Sequence, residues 1–165
     1  MKRLMGVVLG MFVAGALCAQ PVTHAEASAM LSKAGQAIKV FSDGKVATFA
    51  PKFGSDVKPM TRVELIREFD RMFEAVRPNF KFTPKKVAFD AAVLKPGRDA
   101  ALRKSLEKLV SWGCVARLGP VAVGPSEGLE PDEFGDALGF LLVRLADLSH
   151  TPHSRWTPSM MKIGG

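Results

Sequence analysis

A mainly α-helical fold follows from three observations on this sequence. Apolar residues recur at three- and four-residue spacing in four separate stretches. Helix-start signals stand before three of them: Thr23 with Glu26, Thr61 with Glu64, and Pro131. No run of alternating apolar and polar residues is repeated often enough to build a series of strands. The expectation is two helix–loop–helix units packed on a shared core, with at most a short β-hairpin.

The first helix starts at Thr23, whose hydroxyl can cap the first turn while Glu26 reaches back. Ala27, Met30, Leu31 and Ala34 form its apolar stripe, and Gly35 reads as its end or an interruption. Residues 38–50 alternate loosely around Asp43-Gly44, a strong turn dipeptide, and predict a short irregular hairpin. The second helix, about 62–76, has the cleanest period in the chain. Val63, Ile66, Phe69, Met72, Phe73 and Val76 share one face, and Arg77-Pro78 closes it. Its charges pair at three-residue spacing, Glu64 with Arg67, Arg67 with Asp70 and Glu68 with Arg71. Such pairs describe a solvated face and contribute about 0.2–0.5 kcal/mol each.

Residues 78–98 read as a connector holding Pro78, Pro84, Pro96 and Gly97. A third helix, about 99–112, turns Leu102, Leu106, Leu109 and Val110 inward and stops at Gly113. A Gly/Pro-rich loop then runs from Leu118 to Gly128. The fourth helix opens at Pro131 and buries Phe134, Leu138, Leu141, Leu142, Leu145 and Leu148. Residues 150–165 hold Pro152, Pro158 and no period, and predict an extended tail anchored only by Trp156. The units are therefore 20–77 and 99–149, each ordered as helix, glycine, irregular loop, proline and helix.

Residues 1–19 have the pattern of an export signal. Lys2 and Arg3 precede fourteen apolar residues, and Leu17-Cys18-Ala19 offers a small residue for cleavage. Fourteen residues fall short of the roughly 20 needed to cross a bilayer. Cleavage after Ala19 and lipid attachment at Cys18 both remain open. Loss of Lys2 and Arg3 would take the formal charge from +7 to +5. A basic exported protein in the periplasm, cell wall or extracellular surface favours anionic envelope polymers over nucleic acid. Cys114 would then be the sole cysteine, which excludes an intramolecular disulfide and predicts a buried, inert thiol.

Thr61-x-x-Glu64 is fully explained as a capping box contributing on the order of 1 kcal/mol. Arg62 is not. A cation in the first turn faces the positive end of the helix dipole at a cost of about 0.3–1 kcal/mol. Three and four residues on stand Leu65 and Ile66, so no acid on the helix compensates it. Its position above the stripe of Ile66, Phe69 and Phe73 predicts either a groove-facing cation or a snorkelling stem.

Thr61-Arg62-Val63-Glu64 resembles the Thr-Arg-Ala-Glu motif of the S-layer homology family, with one conservative change. Ser42-Asp43-Gly44, Phe49 and Pro51 are similar to the loop before that motif, and Phe89-Asp90 to the opening of another repeat. The resemblance covers about residues 23–148. It implies a non-catalytic wall-anchoring role, with an anionic wall polymer held by Arg62, Thr61, Glu64 and Asp43. The chain departs from the family in three ways. The spacing from Pro51 to Thr61 is long, Leu129-Glu130-Pro131-Asp132-Glu133 stands where a second arginine motif belongs, and two repeats replace the usual three around a pseudo-threefold axis. The alternative is an assembly protein whose degenerate repeats contact another envelope protein or a second copy.

Other patterns carry less. Gly124-Pro125-Ser126-Glu127-Gly128 is a literal G-x-S-x-G, without the strand–turn–helix setting of a nucleophile elbow. His150 and His153 are separated by Thr151-Pro152 and lack further ligands, so no metal or cofactor is expected. Glu127, Glu130, Asp132 and Glu133 complement a helix dipole. Trp112 reads as core, and Lys81, Lys85 and Lys86 among Phe80 and Phe82 as a soluble connector.

Overall fold

Each of the four expected helices forms, and the capping chemistry read from the sequence sets where three of them begin. The structure, a computed structural model, describes residues 20–46, 49–94, 99–124 and 128–161. The export signal with Cys18, Pro96, Gly97 and Ser126 lie outside the described residues. Helix α1 spans His24–Phe41 and α2 spans Arg62–Val76, each opened by a reciprocal box. Thr23 N donates to Glu26 Oε2 at 2.9 Å, and Thr61 N donates to Glu64 Oε2 at 2.8 Å. Helix α3, Ala100–Ser111, is capped by Asp99. A single turn, α4, spans Pro120–Val123, and α5 runs over Pro131–Leu148 behind a Glu130/Glu133 box. The last helix, α6, spans His153–Met161.

Three expectations are corrected. The hairpin at 38–50 is absent among the described residues, where α1 continues to Phe41 and the pairing is one isolated bridge between Thr23 and Pro59. Burial is the reason: Ala37, Ile38 and Phe41 extend the stripe of Ala27, Leu31 and Ala34 into the core and override a loose alternation. Gly35 does not end the helix. A Cβ there would lie 2.8 Å from the carbonyl oxygen of Phe49, so the glycine lets the following loop press against α1. The turn comes later, with Asp43 and Gly44 both at positive φ.

The tail is not extended either. It folds as α6 because Trp156, 5% exposed, meets Phe41 edge-on with ring centroids 5.5 Å apart. An isolated nine-residue helix is unstable in water, so this contact with α1 is what holds it.

Helices α1, α2 and α5 run parallel. Their starts meet where Val22 N donates to Leu129 O and Met60 N to Val22 O, both at 2.8 Å. Their ends meet where Asn79 Nδ2 donates to Phe41 O at 3.1 Å and Lys81 N to Leu148 O at 2.8 Å. Helix α3 lies along α2, joined by Arg67–Asp99 at 3.2 Å and Ser105–Asp70 at 2.7 Å. One continuous core draws on all of these helices, from Leu31 and Phe69 to Leu106, Leu141 and Trp156.

Candidate functional site

Three capped helix starts gather at one end of the molecule. Each has the same plan, an apolar residue, a cap and a glutamate three later: Val22-Thr23-Glu26, Met60-Thr61-Glu64 and Leu129-Glu130-Glu133. Gly128, at φ +123°, permits the third to join, since a Cβ there would stand 2.5 Å from Met60 O. The three positive dipole ends are each met by a glutamate of the box.

His24 ties two of these starts to the loop between them. Its Nδ1 lies 2.8 Å from Asp56 Oδ1, its Nε2 lies 3.2 Å from Glu64 Oε2, and its ring faces Phe53 at 5.1 Å. Two carboxylates facing both ring nitrogens call for two N–H donors, which only the imidazolium supplies. Burial opposes that charge, but the hydrogen bonds and charges of Glu64 and Asp56 outweigh it and raise the His24 pKa above 6.5. On Glu64, burial is likewise outweighed, here by hydrogen bonds from Thr61 and His24 that hold its pKa low. Asp56 is held low chiefly by its bond to His24.

This raised pKa has a definite sign. The clamp contributes its full stability below the unfolded value near 6.5 and loses it as pH rises through the higher folded value. Thermal melting between about pH 6 and pH 9 should therefore show a falling midpoint, and His24→Gln should flatten the slope. A wild-type slope unchanged by His24→Gln would rule out the imidazolium clamp.

Arg62 does not stand at a groove edge. It is 4% exposed, and its Nη1 donates to Val121 O at 2.9 Å, bracing α4 against α2. Burial draws its pKa below the ordinary value, and it stays charged at any physiological pH. Thr61 and Glu64 sit beside it at the helix start. Asp43 does not: it follows the opposite end of α1, about 25 Å away along the helix axis.

A surface groove of about 430 Å³ opens beside the start of α2. It is lined by Lys52 and Phe53 of the preceding loop, by Glu64, Arg67, Glu68, Asp70 and Arg71 of α2, and by Ser105 of α3. Arg67 pairs with Asp99 at 3.2 Å, and both side chains are largely exposed. Arg71 bonds Glu68 and the carbonyl of Ala50, with its guanidinium over Phe49. Sequence reasoning missed Lys52, Phe53, His24 and Ser105, which reach this end from segments far apart in the chain. A signal did exist, since Thr23-His24-x-Glu26 repeats the layout of Thr61-Arg62-x-Glu64.

The remaining candidates have structural surroundings. Cys114 is fully buried, and burial, partly countered by Arg144, pushes its thiol up to about 12. Trp112 packs edge-on against Phe73 at 5.3 Å, while His150 and His153 face Phe82 and Trp156. Among the described residues no group of three His, Cys, Asp or Glu side chains could hold a metal ion, and no helix is long and apolar enough to cross a membrane. In comparisons with known proteins, no family model, no curated protein and no solved structure gives a significant match.

Proposed function

We propose that this chain is an exported, non-catalytic cell-envelope protein that binds an anionic wall polymer in the groove beside the start of α2. The observation that carries the reading is the groove's mixed lining. Lys52, Arg67 and Arg71 stand with three carboxylates and the ring of Phe53. A sugar chain bearing acid groups needs that combination. Cations meet the acids, carboxylates accept from hydroxyls, and an aromatic face packs on a sugar ring. The Arg67–Asp99 pair is exposed and hence weak, so an incoming anion can take its place at little cost.

Three capped helix starts at this end also support the reading. They are the starts of α1 and α2 in the 20–77 unit and of α5 in the 99–149 unit, so both helix–loop–helix units reach this end. The cation of the 61–64 motif acts here from within, by fixing the scaffold, and the surface cations of the groove face the polymer.

The test is co-sedimentation of the purified protein with cell-wall sacculi, before and after extraction of the secondary polymer. Pelleting should fall on extraction, and should fall again for a Lys52→Glu, Arg67→Glu double variant that melts like the wild type. Equal pelleting with and without polymer would remove polymer recognition altogether. Loss on extraction but normal pelleting of the double variant would place recognition on another surface.

A further inference from the structure

Helix α5 presents one outward face along its length. At about 100° per residue, Glu133, Asp136, Phe140, Val143, Arg144 and Asp147 fall within about 60° of the direction of Phe140. Phe140 is 49% exposed and Val143 40%. Beside the first half of this face lies a groove of about 270 Å³ walled by Val115, Val121 and Phe140, whose charged lining is Glu133 and Asp136. An apolar groove with purely acidic charges is unexpected on a chain of net charge +7.

The other end of the same face is bordered by the opposite chemistry. The segment from Lys81 to Val87 runs alongside α5, with the Phe82 ring on His150 at 5.3 Å and the Val87 side chain beside Gly113, which Arg144 also borders. Lys81, Lys85 and Lys86 are exposed there, together with the apolar side chains of Phe82 and Val87. Arg117 reaches the carbonyl of Ala88 and adds to the positive charge. Arg144 turns inward to Trp112 O at 2.9 Å, and Asp147 offsets one lysine without reversing the sign.

From groove to basic segment is about ten residues of α5, or roughly 15 Å, with Val143 near the middle. A surface that carries an acidic groove at one end, exposed lysines at the other and exposed apolar side chains between is complementary in charge to itself under a two-fold rotation. Turning a second copy about an axis near Val143 lays its 82–87 segment over the groove of the first, and the reverse contact forms at the same time. Phe140 and Val143 then meet their own counterparts. Any occupant of the groove needs an extended apolar segment bearing cations, and this chain carries one at the matching distance.

We propose that the α5 face is an isologous homodimer interface, held by each copy's Phe82–Val87 segment on the other's acidic groove. The proposal stands apart from polymer binding, whose groove lies at the start of α2.

Sedimentation equilibrium of the purified protein should give a dimer that weakens about tenfold or more in 0.5 M salt. Two variants test the pairing: Glu133→Gln with Asp136→Lys, which keeps a side chain able to complete the α5 cap, and Lys85→Glu with Lys86→Glu. Each alone should be monomeric and melt like the wild type. Mixed in equal amounts they should dimerise again, because only the mixed pair restores opposite charge at both contacts. A monomeric wild type, growth beyond a dimer, dimers of either variant alone, or a mixture that stays monomeric would each overturn the proposal.

Discussion

Replacing Trp156 by alanine is expected to lower stability by about 3–5 kcal/mol, the usual range for deleting a buried aromatic side chain. The indole is the anchor between α6 and α1, in edge contact with Phe41 and faced by His153 on its own helix. A nine-residue helix has no independent stability, so losing the anchor should release α6 as a unit and expose the flank of α1 that it covers. For a domain of this size the melting midpoint should fall by roughly 10 °C. Deletion of residues 157–165, harmless to a mobile tail, should also destabilise because it removes the second half of α6. Hydrogen exchange would localise the effect to residues 24–41 and 153–161. A Trp156→Ala protein that melts with the wild type would show that α6 contributes nothing to the core.

Arg62→Ala is the second large effect, and it separates a scaffold role from a ligand role. Removing the guanidinium leaves the buried Val121 carbonyl without this donor, at about 1–3 kcal/mol, and loses the packing of a buried stem on top of that. Stability should fall, α4 should loosen, and pelleting with sacculi at a temperature where the variant is folded should persist. Arg62→Lys should recover part of the stability, since an ammonium keeps the charge but lacks the flat, multi-donor geometry of guanidinium. Unchanged stability together with lost pelleting would return Arg62 to the binding surface.

The groove at the start of α2 was only half legible from sequence. Thr61 and Glu64 could be assigned because a capping box is a contract between residues three apart, and local spacing states it completely. Arg62 was legible in part, because a cation at a helix start needs compensation that the helix itself does not supply. Its partner, the carbonyl of Val121, lies 59 residues away, beyond the reach of any local pattern. Lys52, Phe53 and Ser105 carry no motif at all. Lys52 and Phe53 reach the groove because residues 49–60 return to the start of α1 through bonds such as His24 N to Lys58 O at 2.8 Å, and Ser105 because α3 lies along α2 with the Ser105 hydroxyl on Asp70 at 2.7 Å.

By itself the sequence determined the helices whose apolar period and end signals agree, α2 and α5 above all, together with the caps, the mainly helical class and the burial of Cys114. These depend on neighbours within one or two turns, so composition and spacing contain the answer. Tertiary structure alone decided the rest. It carried α1 through Gly35 to Phe41 because the apolar stripe found a core there, and it made a helix of residues 153–161 because one indole met Phe41. It also brought three helix starts to one end by backbone bonds among Val22, Met60 and Leu129. Each of these outcomes rests on burial against, or hydrogen bonding to, a partner distant in the chain, and the free energy of that contact outweighs the weak local preferences that a sequence displays.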